Sequence, residues 1–156
     1  SNSFNAEKVY YLGKKRFDRR GCVGAHHYVD LVFLDDEISG LQKLKNKYTI
    51  VAVDNNVPNT QKLNEFDWLC MKKPPLMLFG EEGVGLTNEA LSLAEYAVEI
   101  PQFGSVRSLN VGTCSGILMY AYMMNLQSSK DLCGQQKEKY DGTYSVQSES
   151  YQLSLL

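Results

Sequence analysis

Two glycine-rich loops hold most of the polar groups in this chain that lack an evident structural task. The first is Phe79-Gly80-Glu81-Glu82-Gly83-Val84-Gly85-Leu86. The second is Ile100-Pro101-Gln102-Phe103-Gly104-Ser105-Val106-Arg107-Ser108-Leu109-Asn110. Glycine lets backbone come close to a ligand, and free N–H and C=O groups can then bind it. Two phosphate chemistries are excluded. The Lys-Ser/Thr pair of a P-loop is absent, and Asn88 stands where a dinucleotide fingerprint would need its next glycine after Gly83 and Gly85. A third group of chemical interest is basic: residues 1–28 hold six basic side chains (Lys8, Lys14, Lys15, Arg16, Arg19, Arg20) against Glu7 and Asp18, a local charge of +4. The whole chain carries −2, so the remainder sums to −6. That asymmetry suits an anionic partner, and equally a solvated loop.

The elements that must position these groups alternate along the chain. Lys8–Leu12 forms a strand closed by Gly13, and Val29–Leu34 is a second apolar run. Ile38–Lys47 places apolar residues at 38, 41 and 44 among lysines, the spacing of an amphipathic helix. Tyr48–Val53 is a β-branched strand ending in the turn cluster Asp54–Asn59. Pro75–Phe79 is a strand, and Thr87–Ala94 a short helix capped by Thr87, with Ala90 where a capping-box Glu would sit. Ala97–Ile100 is a strand, and Leu109–Asn125 a long apolar helix. Strands that are apolar throughout and alternate with helices indicate an α/β fold, a parallel sheet flanked by helices on both faces. Both loops then leave carboxyl ends of strands, where ligands bind in such sheets.

At 156 residues the chain is one domain with room for a core. It divides into residues 1–125, the folded domain, and residues 126–156, a polar tail expected to be disordered. Cys22, Cys70, Cys114 and Cys133 form no CxxC pair, which suits reduced thiols in a cytosolic or nuclear setting. With only His26 and His27 beside them, a metal site is not expected. The longest apolar run, Ile117–Met124, is too short to span a bilayer.

Taken together, the two loops are specific. Phe-Gly-Glu-Glu-Gly-Val-Gly-Leu, then Ile-Pro-Gln-Phe-Gly-Ser-Val-Arg-Ser-Leu-Asn-Val, then a helix rich in small residues resembles the second and third motifs of the SpoU (TrmH-type) class of SPOUT RNA methyltransferases. The basic stretch Lys-Arg-Phe-Asp-Arg-Arg-Gly-Cys-Val-Gly-Ala-His resembles a segment between the first and second motifs in one branch of that class. The resemblance covers residues 4–125. It implies a deep trefoil knot toward the carboxyl end of the fold, S-adenosylmethionine held in the knotted loops, and a homodimer that completes the active site. Carried over by position, Gly80, Ile100 and Leu109 would bind the cofactor. Glu82, Ser108 and Asn110 would orient the reacting groups, with Asn110 also suited to cap the last helix. Arg107 would pair with phosphate or with a carboxylate such as Glu82. Arg16, Arg19, Arg20 and His26 would contact RNA phosphates, and Phe17 could stack on a base.

The implied reaction is methyl transfer to a ribose 2′-hydroxyl of tRNA or rRNA. The alternative is a catalytically silent SPOUT-like module that binds RNA or dimerises with an active partner. The family's first motif, an Asn followed six residues later by an activating Arg, should lie just upstream of Phe4, where this chain has Ser1-Asn2-Ser3. The resemblance therefore implies a truncated N-terminal strand and helix, an active longer parent, and weak or no cofactor binding by this stretch alone.

Overall fold

The computed structural model describes residues 2–13, 27, 29–81, 83–105, 108–132 and 154–155. Among these, seven strands form one sheet: β1 (Lys8–Tyr11), β2 (Asp30–Phe33), β3 (Thr49–Val53), β4 (Gln61–Lys62), β5 (Pro75–Phe79), β6 (Tyr96–Glu99) and β7 (Ser154–Leu155). Their spatial order is β2-β1-β7-β5-β3-β6-β4, and every pairing is parallel. Three helices accompany them: α1 (Glu37–Leu44), α2 (Asn88–Leu93) and α3 (Val111–Leu132). The expected α/β architecture is the one observed.

Burial on both faces explains the strand sequences. Every residue of β3 is buried, and β5 is buried from Pro75 to Leu78. Val51 and Met77 face a core that includes Leu118, Met119 and Tyr122 of α3 with Phe66 and Trp68. Ile50, Leu76 and Leu78 face the opposite core, with Leu41 of α1 and Ala90 of α2. Trp68 stands edge-on to Phe66 at 4.8 Å between ring centres and to Tyr122 at 5.4 Å, tying the segment before β5 to α3.

Helix ends follow local chemistry. Asp36 caps α1 by accepting from Ser39 N at 2.8 Å, and Thr87 caps α2 by accepting from Ala90 N at 3.1 Å. α3 begins at Val111 because Asn110 caps it, and it runs beyond Asn125 to Leu132. Leu126 continues the core contact there, while Ser128 and Ser129 donate back to the carbonyls of Met124 and Leu126. The boundary expected at residue 125 therefore falls inside this helix, and Ser154 and Leu155 stand within the sheet. Among the described residues no helix is long and apolar enough to cross a membrane.

Candidate functional site

The carboxyl ends of β1 and β5, the loop after β5 and the first turns of α3 enclose an open cleft of about 810 Å³. Its walls are mostly apolar, from Val9, Leu78, Phe79, Leu86 and Val111, with polar groups contributed by Glu37, Thr87 and Ser115. This is the position at which parallel sheets bind ligands.

The first loop is folded on itself. Gly85 N donates to Glu81 O at 2.9 Å, and Gly83 and Gly85 take φ of +90° and +78°, conformations that favour glycine. A Cβ on Gly80 would collide with the backbone of Gly85 and lie 2.6 Å from Leu86 N. Gly80 therefore permits close backbone approach, and the group approaching on its Cβ side is the loop's own return strand. The carboxylate of Asp54, at the end of β3, lies close behind: its Oδ2 would be 3.2 Å from a Cβ on Gly85.

The second loop leads into α3. Asn110 Oδ1 accepts from Gly112 N at 2.9 Å and from Thr113 N at 3.4 Å, while Asn110 O accepts from Cys114 N at 2.9 Å. The side-chain amide thus fixes the first turn of α3, whose Val111, Gly112 and Ser115 wall the cleft. Burial pushes the Cys114 thiol up, away from the thiolate a nucleophile needs. At the other wall, burial followed by a hydrogen bond with Tyr48 pushes the Tyr10 phenol up, so it stays neutral.

Of the residues singled out from sequence, Gly80 lines the cleft. Ser108, Leu109 and Asn110 are exposed just before α3, and Ile100 packs on the α3-side core; none of these four is part of the cleft lining. Glu82, Arg107, Arg16, Arg19, Arg20 and His26 lie outside the described residues. Sequence reasoning passed over Asp54, Tyr10 and the pair formed by Glu37 and Thr87, whose Oγ1 donates to Glu37 Oε2 at 3.3 Å. Asp54 and Tyr10 had a usable signal, since both stand at or near the carboxyl end of an apolar strand. Glu37 had none, because α1 is distant from both loops in sequence. No group of His, Cys, Asp or Glu suited to hold a metal is present among the described residues.

The profile of the SpoU rRNA Methylase family matches residues 1–120. The chain belongs to that family. Among curated members, the tRNA (guanosine(18)-2′-O)-methyltransferase of Thermus thermophilus is 32% identical over 97 residues, 62% of this chain and 48% of the relative. The enzyme of the same name from Aquifex aeolicus is 28% identical over 116 residues, 72% of this chain and 54% of the relative. The chain thus spans about half the length of these SpoU relatives. The solved A. aeolicus TrmH/SpoU tRNA modifying enzyme superposes with a TM-score of 0.70 at 26% identity, covering 82% of this chain and 66% of that one. The SpoU methyltransferase AviRb of Streptomyces viridochromogenes, solved in complex with AdoMet, shares the fold at a TM-score of 0.67 and 21% identity, covering 81% and 50%.

Proposed function

We propose that this chain is the methyl-transferring domain of an RNA methyltransferase, acting from S-adenosylmethionine on a ribose 2′-hydroxyl of tRNA or rRNA. One observation supports the reading: in a chain that the SpoU family profile matches, the first motif loop and the first turn of α3, which follows the second motif loop, line one cleft at the carboxyl ends of β1 and β5. The names of the curated relatives support the reaction type and tRNA as substrate. The cleft volume falls within the roughly 300–1,000 Å³ usual for small-molecule sites, and its apolar walls beside backbone polar groups suit a nucleoside with a charged end.

Backbone groups of Gly80, Ile100 and Leu109 would hold the cofactor, whose sulfonium supplies an electrophilic methyl group. The chain's own contribution is positioning, which can supply much of the rate. Asn110 holds the start of α3 against the cleft, and Glu82 and Ser108 would orient the 2′-hydroxyl. Arg107 and the basic residues Arg16, Arg19, Arg20 and His26 would bind RNA phosphates. The two loops would cross as a trefoil knot. A homodimer would cover the exposed face of α3, where Ile117, Tyr120 and Met124 lie at helical spacing on one side; sedimentation analysis checks this.

Transfer of labelled methyl from S-adenosylmethionine to unmodified tRNA and rRNA transcripts, with the product located by resistance to alkaline cleavage, tests the activity. An intact parent protein that binds neither S-adenosylhomocysteine nor RNA sinks the proposal. RNA binding without transfer by a parent holding the upstream Asn and Arg assigns it to the silent class instead.

A further inference from the structure

The large apolar side chains left exposed among the described residues fall into groups. Ile117, Tyr120 and Met124 share the outer side of α3. Val84 and Val111 stand at the cleft and line it. At 3.6 residues per turn, Val111 is turned about 120–180° away from the outer row, so the two groups face different surroundings. Leu69 and Leu109 each keep a large part of their surface covered. Phe103 belongs to neither group. It is 97% exposed, more than any other side chain in this set, and it forms no part of the cleft lining.

The chain holds Phe103 in place from both sides. β6 ends at Glu99, whose carbonyl accepts from Leu63 N at 2.8 Å, and Ile100 packs on the α3-side core. Pro101 has a fixed φ. At the far end Asn110 closes the loop by capping α3. Nothing lies within 4 Å of the Cβ position of Gly104, so the space next to Phe103 along the chain is open. Isolated apolar residues are ordinary on a surface, but here an anchored loop presents an aromatic ring that touches almost nothing of its own protein. β6 pairs with β3 and β3 with β5, so the carboxyl ends of β5 and β6 lie about 10 Å apart at the usual strand spacing. The loop then crosses from β6 to α3, whose first turn walls the cleft. Phe103 therefore stands on the rim along which a polymer must lie to bring one of its groups into the cleft.

We propose that Phe103 is a base-stacking residue, whose ring takes the face of an unpaired nucleobase in the RNA strand that carries the reacting ribose. The inference rests on the RNA-methyltransferase reading above. A ligand small enough to be enclosed by the cleft does not cover Phe103, whereas a strand lying across the rim does. A phenyl ring has neither charge nor a hydrogen-bonding group, so it offers nothing to a phosphate and pairs instead with another π-face. Every base has such a face, so this contact is tolerant of sequence. What it selects is the state of the strand. Bases within a duplex stack on each other, while the splayed bases of loops and bulges are free to stack on an aromatic side chain. Phe103 thus favours methylation in or beside unpaired segments over methylation within a helix.

Phe103→Ala, Phe103→Leu and Phe103→Trp, made in the intact parent protein, test it. All three should melt with the parent, because the ring has so few contacts to lose. Phe103→Ala should raise KM for unmodified tRNA transcripts by about 5- to 150-fold, the range for losing one stacked base, with S-adenosylhomocysteine binding unchanged. Phe103→Trp should restore KM and Phe103→Leu should not. The dependence of RNA affinity on salt should keep the parent's slope, since no phosphate contact is lost. A parental KM in Phe103→Ala overturns the inference, as does equal rescue by Leu and Trp, which would mark a plain apolar contact. A shift of Phe103→Ala from dimer to monomer in sedimentation also overturns it, because a second copy would then be what covers the ring. If the parent itself binds no RNA, the methyltransferase reading and this inference fall together, whereas an active parent with an indifferent Phe103→Ala removes the inference alone.

Discussion

Gly80→Ala measures how far the first loop depends on its own backbone packing. The added methyl would sit 2.6 Å from Leu86 N and against the Gly85 backbone, where carbon contacts normally settle at about 3.5–4.0 Å. The obstacle is main chain and has no rotamer to escape through. Gly85 is pinned by its hydrogen bond to Glu81 O at 2.9 Å, Leu86 packs on the α1–α2 core, and Thr87 caps α2. Relief therefore requires the 81–85 turn to open. Overpacking of this kind costs about 1–3 kcal/mol, and loss of the turn's hydrogen bond about 1 kcal/mol more. For a chain of this length each kcal/mol lowers Tm by about 2–4 °C, so a cost of about 2–4 kcal/mol gives a fall of about 4–16 °C. Gly104→Ala is the internal control, since nothing stands within 4 Å of its Cβ position. Scanning calorimetry on both variants, with S-adenosylhomocysteine titrated into each, reads stability and binding together. The expected result is a large loss of both in Gly80→Ala and little change in Gly104→Ala. Identical melting of the two variants would refute the packing argument.

Asn110→Ala should lower stability by about 1 kcal/mol through loss of the α3 cap and abolish methyl transfer, whereas Asn110→Asp keeps the cap; full transfer by the Asp variant would show that the amide has no part beyond capping. Burial pushes the Glu7 carboxyl up, but hydrogen bonds from Lys47 and Tyr48 outweigh it and hold the group below the usual range. Its contribution is thus present above the ordinary glutamate pKa of about 4.3 and lost as pH falls through the lowered folded value. Thermal melts from neutral to acid pH should show Glu7→Gln with a shallower acid loss than the parent, and parallel curves would contradict those hydrogen bonds. Replacing Arg16, Arg19 and Arg20 together by Ala should weaken RNA binding and flatten its salt dependence by about 0.7–0.9 in slope for each phosphate that is no longer neutralised; filter binding across a salt series gives the answer, and an unchanged slope removes these residues from the interface.

The sheet was legible where burial made the sequence monotonous. β3 and β5 are apolar because both faces are covered, and the run Pro75–Phe79 coincides with the observed strand. Helix starts were legible because Thr87 and Asn110 are of types that satisfy free N–H groups. The end of α3 was not, since Gln127-Ser128-Ser129 has loop composition and becomes helical only when Leu126 finds the core. β4 and β7, at two residues each, are too short to show any period, and only tertiary pairing defines them. The cleft was half legible. Its loop came from the glycine pattern, whereas its opposite wall comes from β1, α1 and α3, which no local pattern connects to that loop.

Several motif residues that the structure describes have a structural task, and this bears on what such motifs encode. Gly80 makes room for the chain's own return, Gly83 and Gly85 permit the turn, and Asn110 closes the first turn of α3. A structural role is commonly set against a functional one, but here the first would produce the second. A site that binds through main-chain N–H and C=O groups is specified by backbone path, and backbone path is controlled by glycine positions and caps rather than by reactive side chains. It follows that isosteric changes should separate the motif residues into two groups. Replacements that preserve the path, such as Asn110→Asp, should spare cofactor binding, while replacements that disturb it, such as Gly80→Ala, should remove binding without touching any group that contacts the ligand through a side chain.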